Sequence, residues 1–107
     1  MKDDENKNIS EVISEIDKAI HSPARLMIMT YLYVVECGDA VYLMNQTGLS
    51  WGNLSTHITK LEEAGYIDVK KEFANRKPRT VIQLTELGRE SFVAYKSKLQ
   101  EFLDLTK

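Results

Sequence analysis

Residues 49–66, with the sequence LSWGNLSTHITKLEEAGY, constrain the fold of this chain more than any other stretch. Ser50 is suited to accept a hydrogen bond from the free amide groups of a helix that begins at Trp51. Gly65 tolerates the left-handed conformation just past a helix end. Between these two signals, apolar residues recur at i, i+4 and i+7, at Leu54, Ile58 and Leu61. The stretch therefore predicts a capped helix with one apolar stripe against a core.

The opposite face of this helix carries short hydrogen-bonding groups and one cation. Its residues are Asn53, Thr56, His57 and Lys60. Amides and hydroxyls match the donors and acceptors on base edges in a DNA major groove, and lysine can reach guanine or phosphate. The alternative is an ordinary solvated surface, which we consider weaker because a cationic segment follows the helix.

The net charge of −2 does not reveal this cationic segment, because the charges are unevenly distributed along the chain. Residues 1–50 hold eight acidic and four basic side chains, whereas residues 69–80 hold five basic side chains against Glu72 alone. Binding responds to the local field rather than to the total charge, so nucleic acid remains a candidate partner.

The length of 107 residues predicts one domain, with residues 1–8 as a flexible tail and residues 9–107 as the folded part. No apolar run approaches the length of a membrane span, and the start MKDDENKN is too polar for a signal peptide. Cys37 has no second cysteine with which to form an internal disulfide. We therefore expect a cytoplasmic protein.

The first predicted helix carries isoleucine at positions 9, 13, 16 and 20, a narrow seam that faces either the domain core or a second copy. Ser22 and Pro23 then begin a helix over Pro23–Val35 that is apolar nearly all round and should be the buried centre. Gly38 and Asp39 interrupt the pattern before a short helix over residues 40–46. The turn at residues 47–49 joins it to the capped helix, so residues 40–64 predict a helix-turn-helix.

After Gly65 the pattern becomes strand-like, and residues 66–84 predict a β-hairpin with a polar turn at 74–78. We expect Asn75 to take positive φ, and Pro78 to lie at the tip or on an unpaired edge. Thr85 should cap a last helix over residues 85–105. Its apolar stripe exceeds what a small core needs, which favours a dimer interface. The predicted interface residues are Ile9, Ile13, Ile16, Ile20, Phe92, Tyr95, Leu99, Phe102 and Leu103.

Two segments resemble the winged-helix transcriptional regulators of bacteria and archaea related to the MarR and ArsR groups. They are GNLSTHITKLEEAGYIDVKKEFANRKPRT at residues 52–80 and LTELGRESFVAYKSKL at residues 84–99, within a similarity over residues 22–103. The resemblance implies an α+β, mainly α, winged helix-turn-helix with extra N- and C-terminal helices that form a dimer interface. It also implies operator DNA as the partner. The implied DNA contacts are Ser50, Gly52, Asn53, Thr56, His57 and Lys60 in the recognition helix and Arg76, Lys77 and Arg79 in the wing.

We add two residues to this DNA-binding set. Trp51 either packs at the turn or reaches the DNA backbone, and it stands where the related proteins usually have a small or polar residue. Lys71 is a cation of the same hairpin. Asn75 stands where the related proteins usually have glycine. Lys77 stands where they usually have arginine, so the wing keeps its charge but loses one planar guanidinium group.

Other interpretations of single residues are weaker. The wing cations could merely protect a sheet edge. His21, Cys37 and His57 lack the spacing of a metal motif, so we predict no metal and no cofactor. Cys37 is more readily an inert thiol than a redox sensor. The methionines and tyrosines of residues 27–44 could line a pocket for a small-molecule effector, but ordinary core packing is the preferred explanation.

These features predict a homodimer that regulates transcription from a palindromic operator in double-stranded DNA. The alternative is a winged-helix module that binds an acidic protein through its basic hairpin. We do not expect an enzyme, since the chain shows no carboxylate pair, activated nucleophile or phosphate loop.

Overall fold

A computed structural model describes residues 8–106, so residues 1–7 of the expected tail and Lys107 lie outside the described part. The elements in chain order are α1 (Ile9–Ser14), α2 (Pro23–Val35), β1 (Cys37–Asp39), α3 (Ala40–Thr47), α4 (Trp51–Glu63), β2 (Ile67–Ala74), β3 (Lys77–Leu84) and α5 (Glu86–Leu105). Over residues 8–106, five helices and a small antiparallel sheet make the winged-helix arrangement that the sequence predicts. Within the described residues, no helix is both long and apolar enough to cross a membrane.

Helix α4 has the caps and the buried stripe expected for residues 49–66. The Ser50 hydroxyl accepts a hydrogen bond from the Asn53 amide at 3.2 Å, and Gly65 has a φ of +84°. The three stripe residues, Leu54, Ile58 and Leu61, are all buried. The predicted helix is confirmed because local capping and tertiary burial agree along its length.

Helix α2 spans the predicted residues, and its Ile28, Met29 and Leu32 are fully buried. It is less enclosed than its composition indicates. Met27, Val34 and Val35 are exposed, since neighbouring elements cover only part of its circumference. The helix is therefore central to the core but keeps an apolar outer side.

The sheet has the order β1-β3-β2 and contains one strand that sequence patterning missed. Strand β1 pairs antiparallel with β3, with Asp39 opposite Val81. Three residues of the sequence Cys-Gly-Asp are too few to show an alternating pattern, so only their pairing partner identifies them as a strand. Asp39 also caps α3, because its carboxylate accepts from the Tyr42 amide at 2.8 Å.

The hairpin is closed by Asn75 and Arg76, whose φ angles are +53° and +63°. Two consecutive residues at positive φ make the tight turn whose twist matches that of paired strands. The expectation for Asn75 is confirmed, and Arg76 adopts the same conformation. Pro78 lies opposite Phe73 in a pair that exchanges no hydrogen bonds, so its nitrogen faces away from β2. Within the described residues β1 reaches along β3 only to Val81, which leaves Pro78 on an open edge, as expected.

The N-terminal segment differs from the predicted continuous isoleucine seam. Asn8, the last residue of the expected tail, instead caps α1, and this helix already ends at Ser14. The Asp17 carboxylate then accepts from the Ala19 and Ile20 amides at 2.8 and 3.2 Å and forms a separate turn. The buried apolar residues of this segment are Val12, Ile16 and Ile20.

Helix α5 begins after its Thr85 cap and ends at Leu105, as expected. Two residues of the expected interface, Phe92 and Tyr95, are only 4% and 3% exposed within one chain. Ile16 and Ile20 are also buried in the same core. These four residues complete the core of the single chain and therefore offer little surface to a second copy.

Candidate nucleic-acid interface

The polar face of α4 is open to solvent over most of its length. Asn53, Thr56 and Lys60 are exposed, and His57 between them is half-buried. Because Leu54, Ile58 and Leu61 hold the other side of the helix in the core, this face has a fixed orientation. It therefore presents its polar groups from a rigid support.

Hydroxyl groups on α4 bond to their own helix. Ser55 and Thr56 both donate to the Gly52 carbonyl, at 3.1 and 3.0 Å, and Thr59 donates to the Ser55 carbonyl at 3.0 Å. Their protons are therefore engaged in this state, and what they present outward is acceptor lone pairs and, for threonine, a methyl group. Asn53, His57 and Lys60 supply the donors of this face.

His57 is held by an arginine that sequence patterning did not single out. The Nη1 atom of Arg25 lies 3.1 Å from the His57 Nδ1 atom. Burial, and then the positive charges of Arg25 and Lys60, lower the pKa of His57 below its usual value. The signal in the sequence was weak, because an arginine in the first turn of a buried helix is ordinary until its partner on another helix is known.

The structure gives the three residues of the metal alternative different surroundings. His57 contacts Arg25, whereas the His21 ring bonds to the Tyr95 hydroxyl at 2.9 Å. Cys37 is exposed on the edge strand β1. In the part of the chain that is described, no group of three or more histidine, cysteine, aspartate or glutamate residues could hold a metal ion.

The predicted wing residues occupy two different settings. Arg76 and Lys77 are exposed at the hairpin tip. Arg79 instead forms an ion pair with Asp39, with 3.5 Å between Nε and Oδ2. Because Asp39 caps α3, this pair ties the wing to the helix-turn-helix and partly neutralises one wing cation. The sequence did not indicate the pair, since 40 positions separate its partners.

A groove of about 170 Å³ separates α4 from the hairpin. It is lined by Trp51, Ser55, Ile58, Thr59, Glu62, Val69, Lys71 and Thr80. Trp51 thus stands at one wall of the groove, and Lys71 places its charge on the opposite wall. The groove runs along the side of α4 that carries Trp51, Ser55 and Thr59, so this side of the helix faces the hairpin.

Phe73 was not among the predicted site residues, yet it is 71% exposed close to the cationic tip. It follows Val69 and Lys71 at alternate positions, so all three point to the α4 side of the hairpin. The hairpin extends beyond the core at this point, which leaves Phe73 uncovered. Its alternation was visible in the sequence, but the length of the uncovered part was not.

The chain matches the winged helix DNA-binding domain family over residues 24–103. A protein of Methanocaldococcus jannaschii described as uncharacterized is 37% identical over 90 residues, which cover 84% of this chain and 95% of that protein. The matched region includes nearly all of α2, the helix-turn-helix, the hairpin and most of α5.

Solved structures share the same architecture. A transcriptional regulator homologue protein from Pyrococcus horikoshii superposes with a TM-score of 0.82 at 29% identity, and the match covers 92% of this chain and 96% of that chain. A putative MarR-like transcription regulator from Bacillus cereus superposes with a TM-score of 0.64 at 23% identity, covering 90% and 74%. The second comparison, at this low identity, concerns the fold alone.

Proposed function

This chain belongs to the winged helix DNA-binding domain family, and we propose that it regulates transcription as a homodimer bound to a palindromic operator. The family and the fold are those of transcriptional regulators rather than of enzymes. The observation that carries the proposal is the exposed polar face of α4, accompanied by the exposed cations Arg76 and Lys77 at the hairpin tip.

In this proposal α4 enters a major groove and the hairpin lies along the neighbouring backbone or minor groove. Asn53, Thr56 and His57 then face base edges, where amide and imidazole groups distinguish bases by their donors and acceptors. The groove between α4 and the hairpin spans the intervening sugar-phosphate backbone, with Lys71 and Trp51 on its two walls.

Affinity and selectivity are divided between the two elements. Helix α4 carries Lys60 but also Glu62 and Glu63, so it supplies little net attraction to phosphate. The hairpin tip supplies that attraction through Arg76 and Lys77. Phosphate contacts position a protein on DNA, whereas base contacts determine which sequence it prefers.

The homodimer proposal is supported by an apolar surface that the single chain leaves open. Ile9 and Ile13 on α1 are 47% and 49% exposed. Glu15 pairs with Lys98 at 2.7 Å, and His21 bonds to Tyr95 at 2.9 Å. The N-terminal segment therefore runs antiparallel to α5 and places the two isoleucines beside the last turns of α5. That end of α5 holds Leu99 and Phe102, which are half-buried, and Leu103, which is exposed.

A second copy packed on this surface would produce a two-fold axis. In helix-turn-helix dimers the two recognition helices contact half-sites about one turn of DNA apart, and the operator repeats the symmetry of the protein. A palindromic operator follows from the proposed dimer in the same way.

DNA binding is tested by selecting sites from random duplexes and then measuring affinity for the selected duplex against salt concentration. We expect a palindromic site and a linear fall of log affinity with log salt, with a slope of about −0.9 for each phosphate contact. An unrelated duplex should bind more weakly with a similarly steep slope. No selected site together with a flat salt dependence would contradict the proposal and favour the protein-binding alternative.

The interface is tested by Leu103→Glu, which places a charge among the exposed apolar residues. We expect the dissociation constant of the dimer to rise at least about 100-fold, since each of the two unpaired charges buried at the interface costs about 3 kcal/mol or more. Sedimentation velocity over a concentration series measures this directly. Val34→Glu is the matched control, because Val34 is an exposed valine on α2 outside the proposed interface. Equal dissociation of both variants would refute this choice of surface.

A further inference from the structure

Two hydrogen bonds hold Arg25 in place, in addition to its contact with His57. Its Nε atom donates to the Ala19 carbonyl at 2.6 Å, and its backbone amide donates to the Ser22 hydroxyl that caps α2. The side chain is half-buried, so its guanidinium has little freedom to move. Its Nη1 atom reaches the His57 Nδ1 atom at 3.1 Å from this anchored position.

This contact determines which His57 nitrogen carries the proton. A guanidinium has five N–H donors and no acceptor, and it stays protonated in proteins. The Nδ1 atom must therefore accept, which requires a lone pair there. A neutral imidazole with a bare Nδ1 carries its hydrogen on Nε2. Among the described residues, no hydrogen bond engages Nε2, which leaves this donor open to an external acceptor.

We propose that Arg25 is a positioning residue for DNA recognition: it holds His57 as the Nε2–H tautomer, so that this N–H donates to a base-edge acceptor in the major groove. The proposal rests on the function proposed above. Arg25 itself acts through His57 and does not touch a base. Guanine N7 and O6, adenine N7 and thymine O4 are the acceptors that such a donor fits.

Two further observations agree with this role. His57 lies between Thr56 and Lys60 on the exposed face of α4, so its free edge shares the surface of the other proposed base contacts. Burial, then Arg25 and then Lys60 lower the pKa of His57, which keeps the ring neutral near physiological pH. A neutral ring with a fixed tautomer discriminates between acceptors and donors, whereas a charged ring would be attracted to any phosphate.

The tautomer is measured on the free protein, without DNA, by long-range correlation of the imidazole nitrogens and carbon-bound protons of His57 in NMR. We expect Nε2 to be protonated and Nδ1 to be bare in the wild type. The Arg25→Gln variant should show a mixture of tautomers and a raised pKa of His57. The control variant Lys18→Gln, which removes an exposed positive charge from the N-terminal segment, should keep the wild-type pattern. A protonated Nδ1 in the wild type would overturn the proposal.

The role in recognition is measured with a double-mutant cycle on the selected duplex and on an unrelated duplex. We expect Arg25→Gln to weaken binding to the selected duplex about fivefold and His57→Ala about tenfold, with little change on the unrelated duplex. In the His57→Ala background, Arg25→Gln should have no further effect. An equal loss on both duplexes, or a full additional loss in the double variant, would show a direct phosphate contact by Arg25 and overturn the proposal.

His57→Ala also serves if Arg25→Gln fails to fold, since it leaves the bond between Arg25 and Ala19 in place. Unchanged preference for the selected duplex in His57→Ala would by itself overturn the recognition role. A wild type that binds neither duplex would refute the proposed function, and it is distinguishable from failure of the positioning step because the NMR measurement needs no DNA.

Discussion

Replacing Gly88 with alanine is expected to lower the free energy of unfolding by about 3 kcal/mol, since an added methyl group in a packed site forces the backbone to shift. A Cβ atom at this buried position would lie 2.1 Å from the Tyr66 carbonyl oxygen and 2.9 Å from the Leu84 Cδ1 atom. A loss of this size should reduce the melting temperature by about 12 °C or more. Urea titration and thermal unfolding, both followed by circular dichroism, measure the effect.

The clash at Gly88 is not easily relieved, because the carbonyl that it meets is already engaged. The Thr85 amide donates to the Tyr66 carbonyl at 3.0 Å. The Thr85 hydroxyl donates to the Gly65 carbonyl at 2.7 Å and accepts from the Gly88 amide at 2.9 Å. These bonds join the start of α5 to the turn between α4 and β2. Moving that turn would change the angle between the recognition helix and the hairpin.

Gly52→Ala is the matched control for Gly88→Ala. Gly52 is also a helical glycine, but a Cβ atom there would have no neighbour within 4 Å. Alanine should therefore stabilise α4 by about 0.5–1 kcal/mol through its better helix propensity. If Gly88→Ala instead unfolds within about 0.5 kcal/mol of the wild type, the close packing of α5 on the turn is not as described.

The features that sequence patterning predicted correctly are those whose causes are local. Ser50, Gly65 and Thr85 mark helix ends through bonds or dihedral angles that involve only neighbouring residues. Asn75 and Pro78 likewise express their own backbone preferences. The order of elements, and with it the winged-helix fold, follows from such signals because nearly every helix has a recognisable cap.

The features that were missed depend on contacts between distant segments. Strand β1 exists only through its pairing with β3. Arg25 acquires a role only through His57, 32 positions later. The sequence predicts Arg79 as a DNA contact of the wing but does not reveal its ion pair with Asp39. None of these partners can be identified from spacing along the chain.

The predicted interface includes residues that the core of one chain already buries, for a related reason. A periodic apolar stripe has the same appearance whether it packs on its own core or on a second copy. Phe92 and Tyr95 are used by the core, whereas Leu103 at the end of the same helix is exposed. The position on α5 at which the stripe stops packing on the core and becomes exposed depends on how far the rest of the chain extends along this helix. That distance is a property of the folded molecule and not of the stripe.

Neutralising the hairpin tip with Arg76→Gln and Lys77→Gln is expected to weaken binding to every DNA sequence and to flatten its salt dependence. Each lost phosphate contact removes about 0.9 from the slope of log affinity against log salt. In a dimer with two bound hairpins, four contacts disappear and the slope becomes shallower by about 3.6. Affinity at about 0.15 M salt should fall by about two orders of magnitude or more. Fluorescence anisotropy with labelled selected and unrelated duplexes measures both quantities.

Two controls separate the position of the charge from its amount and from the strain of the turn. Lys18→Gln with Lys96→Gln removes the same charge far from the tip, and should leave the slope nearly unchanged because salt screens charges beyond about 10 Å. Arg76→Gly removes the charge and also relieves the strain of a non-glycine residue at positive φ. It should therefore stabilise the hairpin by about 1 kcal/mol while still weakening DNA binding. A tip variant with unchanged slope would refute the phosphate contacts of the wing. A slope change of about 1.8 would mean that one hairpin of the dimer is bound, which would contradict a symmetric complex on a palindromic operator.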